Sequence, residues 1–205
     1  MKNIRLITLA IMFVVTCCVA CKEEYPESLP VHISKKYVIG NYYNKNGIQG
    51  IVYRLDEGDT SGMIVSLDER EYCQWSDSLN SNFKTEATDP YDGTKNMKKI
   101  KDLGFDNYPA FKWCDEKNFG NISGWYLPSL HELDEIGRIY SQLNDTLITI
   151  DGGMVLKEMY YWSSTDVDAT KAVIIVFIPN HPGISPASLP TVKTARCRVR
   201  AVHNF

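Results

Sequence analysis

The sequence predicts an α+β fold, in which strands from both ends of the chain flank a helical middle. Three observations support this prediction: two strand-like runs joined by Asn46-Gly47, a capped helix that begins at Ser129, and an alternating closing strand over residues 196–201. We expect small, mostly antiparallel sheets, two main helices and a long irregular loop region. The first and last strands are expected to pair with each other.

The first 20 residues have the pattern of a secretory signal peptide, because Lys2 and Arg5 precede an uncharged apolar run that is too short for a membrane span. Cys21 follows this run and precedes the polar residues KEE, and the segment CVAC resembles a bacterial lipoprotein box. Cys21 is therefore the predicted lipidation site. A plain signal peptide with incidental cysteines is the alternative.

Residues 21–34 are charged and interrupted by proline, which is typical of a tether between a membrane and a domain. Residues 35–205 are predicted to form one domain with a substantial core. The segment CKEE resembles the acidic export tag of surface lipoproteins in the Bacteroidetes group. This resemblance implies an outer-membrane lipoprotein that is exposed on the cell surface and held to the membrane by its lipid.

The charge of the mature chain argues against a nucleic-acid partner. The full chain carries a formal net charge of −3, and removal of residues 1–20 takes away two basic residues and no acidic one, which leaves −5. The broad basic surface that nucleic-acid binding requires is therefore not expected.

The elements of the first half follow from local patterns. Strand-like runs cover residues 36–43, 48–55 and 62–67. Asn46-Gly47 is a strong hairpin signal between the first two runs. Residues 70–107 show no clear period, and we interpret them as loops with one short helix around residues 97–103.

The clearest helix begins at Ser129, which forms a capping box with Glu132. Apolar residues then recur at helical spacing at Leu133, Ile136, Tyr140 and Leu143. An earlier helical stripe contains Ala110, Phe111 and Cys114. Together with the strands around them, these helices place the helical part in the middle of the chain.

Strand-like sequence returns in the last third of the chain. The run 159–164 is followed by the run 171–178, which is apolar on both faces and is therefore predicted to be central in its sheet. In the closing strand, one face carries Arg196, Arg198 and Arg200, and the other carries Cys197, Val199 and Ala201.

Three short motifs carry a resemblance to a known family. The segments GWYLPSLHELDEI, YYWSSTD and VRAVHNF occur in the order and spacing seen in bacterial lipoprotein domains of unknown function related to the C-terminal domain of the Lcl collagen-like adhesin. The resemblance covers about residues 36–205 and implies a C-type-lectin-like fold. The LPSLHELDE segment is also similar to the helix start of formylglycine-generating enzymes, which share that fold type.

The resemblance implies structural roles for the motif residues Trp125, Pro128, Ser129, Glu132, Trp162, Ser163 and Arg200. Many relatives carry cysteine at the position of Ala201, whereas this chain has Cys197 on the same strand face. A disulfide between Cys114 and Cys197 is therefore one expectation, and free thiols are the other. The state of Cys73 stays open.

Ligand-binding candidates come from the irregular middle and the loops near it, where aromatic residues with hydrogen-bonding neighbours suit sugar stacking or protein contact. These candidates are Trp75, Tyr91, Tyr108, Asn180 and His181. Asp89, Asp92 and Asn96 are polar neighbours of this set. Arg196 and Arg198 are added because a row of arginines suits an acidic glycan, although the net negative charge and the structural role of Arg200 argue against this.

No pattern of catalytic residues or metal ligands emerges. His131-Glu132 lacks the second histidine of a zinc-protease helix, since position 135 is glutamate, and Ser163 lies in no nucleophile elbow. We therefore expect a protein that is not an enzyme and holds no metal or cofactor. Ser78 and Thr146 lie in tripeptides that resemble O-glycosylation sites of exported Bacteroidetes proteins.

The sequence-based hypothesis is a lipid-anchored, cell-surface recognition module that binds a glycan or a protein through its loop face. The first alternative is an accessory or tip subunit of a surface or fimbrial assembly. The second is an enzyme related to formylglycine-generating oxidases. Fold alone does not choose among them, because one fold supports many functions.

Overall fold

A computed structural model describes residues 36–178 and 186–205. The predicted signal peptide, the tether and the lipidation site Cys21 lie outside these ranges, as do the ligand-binding candidates Asn180 and His181. In the part of the chain that is described, none of the helices has the length and apolar character needed to cross a membrane.

The architecture of the described residues is α+β, with two five-stranded sheets and three α-helices, as the sequence predicts at this coarse level. The strands are β1 (Tyr42–Lys45), β2 (Ile48–Leu55), β3 (Gly62–Val65), β4 (Arg70–Cys73), β5 (Trp125–Tyr126), β6 (Tyr160–Asp166), β7 (Lys171–Val176), β8 (Ala187–Val192), β9 (Cys197–Val199) and β10 (Val202–Asn204). The helices are α1 (Gly93–Leu103), α2 (Pro109–Asp115) and α3 (Leu130–Leu147), with a short 3-10 turn at Phe105–Asn107.

The first sheet has the strand order β1-β2-β3-β10-β5 and is antiparallel throughout. The hairpin between β1 and β2 confirms the sequence signal, because Asn46 and Gly47 form its two-residue turn with φ values of 55° and 81°. Positive φ at both central residues is the conformation that favours Asn-Gly in such turns.

The predicted pairing of the first and last strands is wrong. β10 lies between β3 and β5, and β2 and β3 separate it from β1. The two ends of the domain nevertheless touch through side chains, since the Phe205 ring lies 4.8 Å from that of Tyr37 and 4.5 Å from that of Tyr43.

The second sheet has the strand order β4-β9-β6-β7-β8, with β6 and β9 parallel. β7 is flanked on both sides, which confirms the central position predicted from its apolar sequence. The single closing strand predicted over residues 196–201 is wrong, because the chain leaves the second sheet after β9 and enters the first as β10. Residues 200–201 form the crossing between the two sheets.

The helix predicted at Ser129 is confirmed as α3, although it continues to Leu147. The Ser129 Oγ accepts a hydrogen bond from the Glu132 backbone N–H at 3.3 Å, and a Glu132 carboxylate oxygen accepts one from the Ser129 N–H at 2.7 Å. This reciprocal box starts the helix at a defined residue. The apolar side of α3 is buried, including Leu133, Ile136, Tyr140 and Leu143.

Candidate functional site

The motif residues of the helix start form one buried hydrogen-bonded joint. Glu132 accepts hydrogen bonds from the Ser129 and Gly93 backbone N–H groups and from the Tyr126 hydroxyl, at 2.7, 3.2 and 2.9 Å. The Pro128 carbonyl accepts a hydrogen bond from the Ser164 N–H at 2.7 Å. With its acceptors satisfied by the protein and its side chain buried, Glu132 links β5, α1 and α3.

The two motif tryptophans are buried, as is the serine that follows Trp162. Trp162 has no exposed surface, and its indole N–H donates to the Cys73 carbonyl at 2.9 Å. Trp125 is 7% exposed. The Ser163 hydroxyl donates to the Val173 carbonyl at 2.8 Å. These side chains hold strands and helices together, and of the three only Trp125 also lines a surface depression, together with Met97 and Phe105.

Two of the aromatics predicted to bind a ligand, Trp75 and Tyr108, are core residues, so this prediction is wrong for them. Trp75 has no exposed surface, its indole N–H donates to the Ser163 carbonyl at 2.9 Å, and its ring packs edge-on against Phe111 at 5.0 Å. Tyr108 is 3% exposed and packs against Trp75. Irregular sequence around them concealed their place in the core.

Tyr91 is the predicted aromatic that does lie at the surface, with 68% exposure. Its ring stacks on the exposed imidazole of His131, with parallel planes and centroids 4.1 Å apart. The pair is called the Tyr91 stack below. The predicted polar neighbours Asp89, Asp92 and Asn96 do converge on this loop, although Asn96 is buried.

The predicted arginine row is only partly available for a ligand. Arg200 is fully buried and donates to the Ser66 and Asp68 carbonyls, to the Met154 carbonyl and to Glu69. Arg198 is half-buried and forms ion pairs with the carboxylates of Glu69 and Glu71. Arg196 is exposed, and within residues 36–178 and 186–205 it forms no ion pair. The three arginines therefore do not form a continuous basic strip.

The predicted Cys114–Cys197 disulfide is absent, and Cys73, Cys114 and Cys197 are all free and buried. The residue opposite Cys197 across the β4–β9 pair is Cys73, and Cys114 lies on the buried side of α2. Burial raises the pKa of Cys73 and of Cys197 to about 11, and it raises that of Cys114 well above its usual value. Such thiols are unreactive at neutral pH.

A second surface, absent from the sequence-based candidates except for its arginines, surrounds Tyr72. Tyr72, Met159 and Tyr160 are exposed by 69%, 43% and 50%, and they line one shallow depression together with Arg196 and Arg198. This set is called the Tyr72 patch below. It is built on β4, β9 and β6, which are neighbours in the second sheet.

A β-bulge orients Tyr72. Arg70 is opposite Val199 and Cys73 is opposite Cys197, so Glu71 and Tyr72 together face the single residue Arg198. Tyr72 has a φ of 53°, in the left-handed region that favours glycine. A left-handed conformation costs a non-glycine residue roughly 1–2 kcal/mol. Bulges often re-aim a side chain near a functional site, and here the strained residue is a large, exposed aromatic.

The composition of the Tyr72 patch is that of a protein-contact surface. Tyrosine and arginine are over-represented among the residues that dominate binding energy at protein interfaces, and methionine is enriched there. The charges of Arg198 and Arg200 are balanced by Glu69 and Glu71, whereas Arg196 at the rim has no ion pair with any of the described residues. The patch therefore suits a partner with an apolar centre and an acidic edge.

The Tyr72 patch is not predictable from the sequence pattern, because β4 lies within residues 70–107, which show no clear period. The strand has only four residues, and its bulge breaks the alternation that would have revealed it. One sequence signal for the exposure of Tyr160 was available. Tyr160 is the first residue of β6, and strand alternation places its side chain on the opposite face of the sheet from that of Tyr161. Among the described residues, no cluster of three or more His, Cys, Asp or Glu side chains could hold a metal ion.

Comparison with solved structures shows a likeness in fold to a bacterial protein. The sequence matches no protein-family model and no curated protein. The fold is similar to that of a fimbrial protein from Bacteroides ovatus ATCC 8483, with a TM-score of 0.59 and 19% sequence identity. The similarity covers 82% of this chain and 49% of that one, so the chain spans about half the length of the fimbrial protein. At this identity the likeness shows a shared fold.

Proposed function

We propose that the chain is an accessory or tip subunit of a cell-surface assembly of the fimbrial kind, and that it docks to another subunit through the Tyr72 patch. The observation that carries the proposal is the patch itself, in which exposed tyrosines, a methionine and an arginine meet on a bulge that holds Tyr72 at positive φ. A protein retains such strain where the surrounding structure enforces it, and such sites are often functional.

The fold shared with a fimbrial protein supports the same proposal, because it shows that this architecture occurs in such a protein. A lipid at Cys21 and a tether over residues 21–34 would keep the domain at the outer surface, where an assembly is built. The C-type-lectin-like fold and the relation to the Lcl-type domains belong to this proposal as well. The buried motif residues Trp125, Glu132 and Trp162 are consistent with them.

Site-specific photo-crosslinking in the producing cells tests the docking. A benzophenone amino acid replaces Tyr160 in the full-length protein, and irradiation is expected to give one discrete adduct with a second protein. The matched control carries the same group at Leu79, which is 89% exposed and lies outside the Tyr72 patch, and it is expected to give none.

Charge reversal provides the second arm of the experiment. Arg196→Glu in the crosslinking protein is expected to abolish the adduct, because it places a carboxylate where an acidic partner edge would lie. Adducts of equal yield from positions 160 and 79, or an adduct that survives Arg196→Glu unchanged, would show that the Tyr72 patch is not the docking surface.

A further inference from the structure

The Tyr91 stack presents a flat aromatic face to solvent. One face of the Tyr91 ring is covered by the His131 imidazole at 4.1 Å, yet 68% of the residue stays exposed. An exposed aromatic ring that is held parallel to a second ring is pre-organised for stacking against a flat, weakly polar surface. The apolar C–H face of a sugar ring is such a surface.

The loop that carries Tyr91 is fixed by hydrogen bonds to the buried residue Asn96 and to the start of α3. The Asn96 side chain is 1% exposed, and it accepts a hydrogen bond from the Asp89 N–H at 2.9 Å and donates one to the Asp89 carbonyl at 2.7 Å. The His131 N–H donates to the Pro90 carbonyl at 2.9 Å, which ties the loop to the start of α3. The ring positions are therefore set by the fold before any ligand arrives.

Two carboxylates lie beside the stack. Asp89 accepts hydrogen bonds from the Tyr91 and Asp92 N–H groups, at 2.9 and 3.0 Å, and its other oxygen pairs with Lys95. The Tyr91 backbone amide, ahead of Lys95, lowers the pKa of Asp89, so this group is ionised at neutral pH. The side chains of Asp89 and Asp92 keep 27% and 35% of their surface exposed, which leaves acceptor capacity for hydroxyl groups.

The local charge selects among possible ligands. In the ion pairs of the described residues, Asp89 and Asp92 both pair with Lys95, so these three groups together carry a net negative charge. A sulfated or carboxylated sugar would be repelled there, whereas the hydroxyls of an uncharged sugar can donate to the carboxylates. We propose that the Tyr91 stack binds a neutral sugar unit of a glycan. The sugar ring stacks on Tyr91, and its hydroxyl groups donate hydrogen bonds to the carboxylates of Asp89 and Asp92.

This site is separate from the Tyr72 patch. Tyr160 begins β6, whereas Thr165 near its other end accepts a hydrogen bond from the Leu130 N–H and donates one to the Asp89 carbonyl. Five residues of extended strand span about 16 Å. A ligand at the stack and a partner at the patch can therefore be bound together, and the sugar proposal does not depend on the docking proposal.

Saturation-transfer NMR on the full-length chain in a detergent without sugar groups tests the proposal. The probes are cellohexaose, maltohexaose and mannohexaose at millimolar concentration, with a heparin hexasaccharide as the acidic arm. At least one neutral probe is expected to bind and to show its strongest transfer at ring C–H protons, and heparin is expected to bind more weakly.

Four variants separate the chemistry from the fold. Tyr91→Ala is expected to weaken binding at least tenfold, while Tyr91→Phe retains it because the ring remains. Asp89→Asn is expected to weaken it less than Tyr91→Ala does. Tyr42→Ala is the control, since Tyr42 is an exposed tyrosine on β1 outside both surfaces. Binding of heparin alone, no binding of any neutral probe, or equal loss in Tyr91→Ala and Tyr42→Ala would each overturn the proposal.

Discussion

Replacement of Tyr72 by glycine, asparagine and valine tests whether the bulge stores strain at this residue. Tyr72 has a φ of 53° and is 69% exposed, so its backbone conformation matters more to stability than its buried contacts. Tyr72→Gly removes a cost of roughly 1–2 kcal/mol, but it adds about 0.5–1 kcal/mol through the greater freedom of the unfolded chain. With a small loss of packing, the net change is within about 1 kcal/mol of zero.

The order of the three variants in free energy of unfolding is more informative than the value for any one of them. Asparagine tolerates positive φ, whereas a β-branched valine does not. We therefore expect Tyr72→Gly and Tyr72→Asn to match the parent, and Tyr72→Val to lose more than about 1 kcal/mol. In an ordinary extended strand the order is reversed, because valine is favoured over asparagine and glycine there.

Urea denaturation followed by circular dichroism measures the three variants, with the free energy of unfolding taken from midpoint and slope. The same variants carry the benzophenone group at position 160, so that docking is read separately. All three are expected to lose the crosslinked adduct, because each lacks the Tyr72 ring. A Tyr72→Val protein more stable than Tyr72→Gly would refute the assignment of strain to this residue.

Three further predictions concern the interior. Arg200→Met is expected to lower the free energy of unfolding by about 3–5 kcal/mol, because Glu69 loses a buried cation and three backbone carbonyls lose their donor. A loss below about 1 kcal/mol in urea denaturation would contradict this expectation. Glu132→Ala removes the acceptor of three buried hydrogen bonds and is expected to cost about 3 kcal/mol, seen as a lower thermal midpoint, whereas Glu132→Gln costs less. Burial raises the pKa of Cys73 and of Cys197 from the usual 9.0 to about 11 in the folded protein. Between pH 9 and about 11 the unfolded chain therefore loses these protons more readily than the folded one, and the free energy of unfolding should fall as pH rises through this range. The fall should be shallower in a Cys73→Ala, Cys197→Ala double variant, and an equal slope would rule out this cause.

Local signals in the sequence were sufficient for several elements. Asn46-Gly47 predicted its hairpin because the turn conformation is a property of those two residues. Ser129 and Glu132 predicted the start of α3 because the capping box is closed by residues three apart. In each case the interaction that defines the structure lies within a few positions of the chain.

Other features depended on distant partners and could not be predicted from local sequence. The burial of Trp75 depends on Ser163, 88 positions later, whose backbone carbonyl accepts a hydrogen bond from the indole N–H. The closing strand divides at Arg200 because that side chain is held by carbonyls of the β3–β4 connection and of Met154. The same holds for the Tyr72 patch, whose members come from three strands that only the sheet brings together.

The position of β6 has a mechanical consequence. This strand is paired with β9 on one side and β7 on the other, and the two proposed contacts lie at its opposite ends. If one end is anchored and the other is pulled, tension runs along the strand. Hydrogen bonds between strands stand across that direction, so they would bear the pull simultaneously, in shear, rather than opening one by one. Force applied at a sugar bound to the Tyr91 stack would then pass along β6 to the partner docked at the Tyr72 patch, with little extension of the domain.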